Sequence, residues 1–147
     1  MPDRKTMERA AEDKREGKAP STQAGEFVRE EMHHVGEGKH GAASTKQAIA
    51  IGLSKARRAG VKLAPPKKGT ASAKTRKSAA RALAAGAKGK KPSRQRSQAT
   101  RAALKRKGRA AASKTALARQ ARSAARKRGS GARSAAARKP TRTRSTG

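Results

Sequence analysis

The sequence predicts a mostly disordered chain with α-helical segments, in which a small helical hairpin is followed by a long basic low-complexity tail. Three observations lead there. Large apolar side chains gather between residues 27 and 63, and Phe27 is the only aromatic residue. From Pro65 to Gly147 the large apolar residues are Leu83, Leu104 and Leu117, which offset little of the entropy lost in ordering so long a stretch. All nine carboxylates precede residue 38, so the 33 Lys and Arg of the following 110 residues face no internal counter-charge. Like charges at such density resist compaction.

Residues 1–20 mix both charges and favour helix, with Asp3 a cap and Arg4/Glu8 and Arg9/Asp13 at i,i+4 spacing. With scarcely a large apolar residue, this segment is expected as a frayed, solvated helix ending at Gly17. Residues 21–64 form the hairpin module. A first helix over about Thr22–His34 carries an i, i+4, i+7 stripe of Val28, Met32 and Val35, with Phe27 alongside. Gly36, Gly38 and Gly41 make a flexible connector. Ser44-Thr45-Lys46-Gln47 is a capping box that opens a second helix, which stops at Gly60. Ile49, Leu53 and Ala56 share one face of it, and Gly52 permits close approach of another helix. Arg57 and Arg58 complement the dipole of its last turn, and Val61 and Leu63 can fold back before Pro65-Pro66. Residues 65–147 are an Ala/Lys/Arg/Ser tail, with helix-permissive stretches at Ser72–Ala85, Ser93–Lys107 and Ser113–Arg128, each followed by glycine. Alanine and arginine favour helix, but clustered charge opposes it, so this tail is expected to fold on contact with a polyanion.

Met32-His33, Gly38-Lys39 and the run KQAIAIGLSKARRAG (46–60) resemble a small family of uncharacterised basic bacterial proteins. The resemblance implies a bacterial origin and no established activity. Separately, the tail is similar in composition to the alanine/lysine-rich arms of linker histones and bacterial histone-H1-like proteins, which implies a nucleoid-associated role.

The charge asymmetry points to nucleic acid, bound through its phosphates with release of counterions. The cations expected to make these contacts are Arg94, Arg96, Arg101, Lys105, Arg106, Arg119, Arg122, Arg126 and Arg128. A candidate anion site lies at the start of the second helix, from Lys39, Ser44, Thr45 and Lys46. Double-stranded DNA is the favoured partner, through sequence-tolerant binding and compaction. An RNA- or ribosome-associated role is the alternative, since phosphate contacts alone do not separate the two. The connector is too long for a helix-turn-helix, and one phenylalanine cannot build a base-stacking platform.

No catalytic residues are assigned. Carboxylates confined to the front segment, without Tyr or Cys, offer neither a two-metal nuclease centre nor those nucleophiles. His33, His34 and His40 with Glu37 read as surface groups separated by glycines, so neither metal nor cofactor is expected. No small-molecule substrate and no membrane insertion are expected either. The absence of cysteine fits a reducing compartment, and with DNA as the favoured partner a cytoplasmic, nucleoid location is expected.

Overall fold

Serine caps and alanine-rich helical runs set the architecture. The computed structural model describes residues 2–145, with side chains through Gly129. Six helices order these residues: α1 (Arg4–Arg15), α2 (Pro20–Glu37), α3 (Thr45–Arg58), α4 (Ala73–Ala87), α5 (Arg94–Lys105) and α6 (Lys114–Ser145), the last broken at Gly129 by a non-helical backbone (φ 76°) where the sequence expects its glycine stop, with a 3₁₀ turn at Ala110–Ala112. The chain divides into two units, Met1–Ala112 and Ser113–Gly147. The proline pair at 65–66, where the sequence places the start of the tail, therefore lies inside the first unit.

The expected disorder of most of the chain is overturned by this helical order, which extends through the basic region. Its cause is local. Ser72, Ser93 and Ser113 each accept a hydrogen bond from the amide three residues on, at Thr75 (3.2 Å), Arg96 (3.2 Å) and Ala116 (3.1 Å). A serine cap of this kind contributes about 1 kcal/mol. Against it, each helix through residue 128 holds a single like-charged i,i+4 pair: Lys77/Arg81, Arg101/Lys105 and Arg122/Arg126. Each such pair costs only ~0.2–0.5 kcal/mol. The i,i+3 pairs Lys74/Lys77 and Arg119/Arg122 add similar small costs, and alanine spacers keep further cations out of i,i+3 and i,i+4 register, so helix propensity prevails over repulsion.

Within the first unit, α2 packs on α1 and α3, and α4 packs on α3. The expectation that α1 stays solvated fails, because Thr6, Ala10 and Asp13 are buried. Ala10 joins Ala24, Phe27, Ala56 and Val61 in one core cluster, with Leu53, Ala59 and Leu63 packed around it. Val61 and Leu63 thus do fold back beneath α3. Arg57 fastens them, donating from Nε to the Leu63 carbonyl (3.0 Å) and from its terminal nitrogen to that of Ala64 (2.9 Å). This buried arginine does more than complement a helix dipole, and burial lowers its pKa.

Close backbone approach replaces bulk in this core. A Cβ at Gly52 would lie 2.7 Å from Val28 Cα, so the α2–α3 crossing requires glycine there. Gly41 is tighter still, with its Cβ position 1.8 Å from the Lys107 carbonyl oxygen. The connector expected to be flexible is pinned there: Gly41 N–H donates to Leu104 O (2.8 Å) and Ala42 N–H to Gly108 O (3.2 Å). The 3₁₀ turn then places Ala111 against Val35, Ala42 and Ala48 in a second cluster. Thr45 locks it by donating its hydroxyl to the Ala111 carbonyl at 2.6 Å. The tail's alanines therefore complete the core of the hairpin.

Candidate nucleic-acid interface

The arginines and lysine expected to touch phosphate all lie exposed on helices. Arg94, Arg96, Arg101 and Lys105 project from α5 and Arg106 from its C-cap, while Arg119, Arg122, Arg126 and Arg128 project from α6. On α6, Arg119, Arg122 and Arg126 stand at i, i+3 and i+7 and line one open recess with Ala125. In the first unit, Lys74, Lys77 and Arg81 repeat this spacing on α4 and line another recess with Ala73 and Ser78. Sequence reasoning named none of the α4 cations as contacts, although their i, i+3, i+7 spacing was there to read. Seven residues of helix rise about 10 Å, comparable to three phosphate steps along one strand.

The carboxylates are committed elsewhere. Glu26 lies near Arg9 (3.9 Å) and Arg29 (3.7 Å), joining α2 to α1. Lys18 reaches Asp13 (2.8 Å) and Glu16 (2.9 Å), and the hydrogen bonds it donates to these carboxylates raise its pKa. Lys55 of α3 donates to Glu31 of α2, and Arg4 pairs with Glu8 at 2.8 Å. Among the described residues, no ion pair engages a cation beyond Lys55. The cations of α4 and α5, and those of α6 through Arg128, thus have no carboxylate partner among the described residues.

The candidate anion site at the start of α3 has a different arrangement from an open cradle. Ser44 caps the helix, accepting from Gln47 N–H at 3.1 Å, while Gln47 Oε1 accepts from Ala43 N–H at 2.7 Å. Thr45 is buried under the 3₁₀ turn, and Lys39 lies 3.6 Å from Glu37. Lys46 alone of the four is exposed without a role in these contacts.

The histidines correct a second expectation. His33 is exposed and lies 3.1 Å from Glu37. His34 and His40 are instead 12% and 11% exposed, and both turn toward Glu31, whose side chain is fully buried. His40 Nε2 lies 3.0 Å from Glu31 Oε2, and His34 Nδ1 lies 4.0 Å from Glu31 Oε1. The other ring nitrogens face outward: His40 Nδ1 to the Gly41 carbonyl (2.9 Å) and His34 Nε2 to Asp3 Oδ2 (3.4 Å). Hydrogen bonding to His34 lowers the pKa of Asp3. Burial raises that of Glu30, whose Oε1 accepts the Asp3 backbone N–H at 2.5 Å. The sequence signal for this cluster was the Glu31-x-x-His34 spacing, which sets both groups on one face of α2.

Residues 19–68 match the model of a family of unknown function (DUF6496). The matched stretch covers α2, the connector and α3, and so contains the 32–60 segment whose sequence resembles uncharacterised basic proteins. No curated protein and no solved structure matches the chain. Among the described residues, no helix is long and apolar enough to cross a membrane.

Proposed function

We propose that this protein binds double-stranded nucleic acid, DNA foremost, without sequence preference, and compacts it through phosphate contacts in the manner of nucleoid-associated and histone-H1-like proteins. The carrying observation is the segregation of charge. Every Asp and Glu belongs to residues 3–37, and among the described residues their ion-pair partners all lie at or before Lys55, while α4 and α5, and α6 through Arg128, present cations to solvent. A surface of one sign gains little from sequence-specific hydrogen bonds and much from counterion release. Cationic rows on separate helices give the chain several phosphate-binding edges, so one molecule can engage more than one duplex segment. The chemistry is binding alone, with no catalytic step.

The test is a salt titration of binding to random-sequence duplex DNA. Affinity should fall steeply with salt, with a log–log slope of about −0.9 per phosphate engaged. Reversing Arg119, Arg122 and Arg126 together to Glu should weaken binding and make the slope shallower by about 2.7, from three contacts at 0.9 each. A flat salt response, or unaltered affinity in the triple variant, would refute the proposal. Competition by ribosomal RNA at matched salt separates the alternative. If ribosomal RNA displaces DNA at stoichiometric amounts, the physiological partner is a structured RNA.

A further inference from the structure

We propose that Glu31, His34 and His40 form a binding site for one divalent transition-metal ion of the zinc class. One ligand atom from each of the three residues lies within 4.8 Å of the others. Tetrahedral coordination at about 2.1 Å places ligand atoms roughly 3.4 Å apart. His40 Nε2 lies 3.0 Å from Glu31 Oε2, and His34 Nδ1 lies 4.0 Å from Oε1 of the same carboxylate, distances on either side of that value.

The hydrogen bonds around the two rings carry the inference further. The Gly41 carbonyl can only accept, so His40 Nδ1 carries the proton of the neutral ring. His40 Nε2 is then a lone pair, and it faces Glu31 Oε2, a fully buried oxygen without a hydrogen-bond partner. Two electron-pair donors 3.0 Å apart in the protein interior repel each other unless a proton or a metal ion lies between them. His34 repeats the scheme. Its Nε2 donates to Asp3 Oδ2, leaving the Nδ1 lone pair on the Glu31 side. An oxygen acceptor on the outer nitrogen of a ligating histidine is the ordinary means of fixing its tautomer and strengthening it as a ligand.

Glu31 Oε1 is held by Lys55, so Oε2 is the oxygen left for the metal. Two neutral imidazoles and one carboxylate suit zinc, cobalt or nickel better than calcium or magnesium, which take oxygen ligands. Asp3 acts as a positioning residue through His34. The ion would join α2 to the connector, inside the stretch that matches the family model. This inference is independent of nucleic-acid binding.

The experiment uses the full chain, freed of metal by a chelator and titrated with zinc by calorimetry and with cobalt(II) by visible absorption. The expected result is one ion per chain, with the intense visible bands of a tetrahedral cobalt centre. His34→Gln and His40→Gln should each weaken binding by at least about 100-fold, and Asp3→Asn by about 10-fold. His33→Gln, on an exposed ring outside the cluster, should leave it unchanged. Asp3 is an exposed side chain at the start of α1, so its variant tests the site even where a histidine variant loses the fold. Zinc should also raise the unfolding temperature of the wild-type chain and not that of His40→Gln. Absence of a one-to-one complex, or equal losses in His33→Gln and His40→Gln, would overturn the assignment.

Discussion

Gly25 and Gly52 both sit inside helices, yet replacement by alanine should shift stability in opposite directions. Alanine relieves the entropic cost of a mid-helix glycine by ~0.5–1 kcal/mol. At Gly25, in α2, an added Cβ meets nothing within 4 Å, so Gly25→Ala should stabilise by roughly that amount. At Gly52, in α3, the same methyl would lie 2.7 Å from Val28 Cα, 2.9 Å from Val28 N and 3.0 Å from Val28 Cγ2. Two of those atoms are backbone and cannot rotate away, so α2 and α3 must separate. That disturbs the cluster of Ala24, Phe27 and Ala56, which lies along the same interface. Overpacking of this kind costs about 1–3 kcal/mol. After the propensity gain, Gly52→Ala should destabilise by about 1–2 kcal/mol. The two variants then differ by roughly 2 kcal/mol, a factor of about 30 in the folding equilibrium. Urea unfolding followed by far-UV circular dichroism reads the midpoints, and amide exchange at Val28 and Ala56 assigns the change to this crossing. If Gly52→Ala shifts the midpoint upward together with Gly25→Ala, the close α2–α3 contact does not hold the module together.

Further outcomes follow from the closure of the connector and from the helical state of the basic region. Thr45→Val keeps side-chain volume but leaves the buried Ala111 carbonyl without its hydroxyl donor, and should cost about 1–3 kcal/mol, checked by urea unfolding. Adding duplex DNA should change the far-UV dichroism only slightly, because α4–α6 are helical before contact; a large gain in helix signal would contradict the structure. A chain ending at Ala112 should keep cooperative unfolding, since the first unit contains both core clusters. Loss of the eleven Lys and Arg beyond that point should make the salt slope of DNA binding shallower, by at most about 10.

The helix positions were largely legible in the residues. The Ser44 capping box, the stop before Gly60, the close-approach role of Gly52 and the starts at Ser72, Ser93 and Ser113 all correspond to structural features. The state of the chain was not legible, for a physical reason. Scoring the core by large side chains ignored alanine, yet Ala24, Ala48 and Ala56 are fully buried and Ala82 nearly so. Alanine contributes little area alone, but it lets helices approach until backbone atoms touch. The partner of such a face lies far along the chain, as Thr45 and Ala111 do, and no local pattern announces that pairing. The same distance hid the histidine cluster. Glycines around His40 suggested mobility, whereas contact with Leu104–Gly108 fixes the connector and sets that ring against Glu31.

Charge and packing are therefore two aspects of one arrangement. Glu26 links α2 to α1, Glu31 links α2 to α3, and Asp3 links the start of α1 to His34. The partly exposed pairs of Glu26 and Asp3 add little stability, whereas the pairing of fully buried Glu31 with Lys55 offsets the cost of burying that carboxylate. What they do accomplish is local neutrality, which allows three helices to assemble in a chain of net charge +31. A carboxylate placed on α4, α5 or α6 would serve no such joint and, on the proposed role, would cancel a cation offered to phosphate. On the proposed phosphate-binding role, the confinement of acids to residues 3–37 keeps the first three helices near neutrality and the later ones positive. Moving one carboxylate outward tests this directly. Gln98→Glu, on an exposed position of α5 one turn from Arg94 and Arg101, should leave the urea midpoint within about 0.5 kcal/mol. It should nonetheless weaken DNA binding and make the salt slope shallower by about 1, because the new charge neutralises one contact.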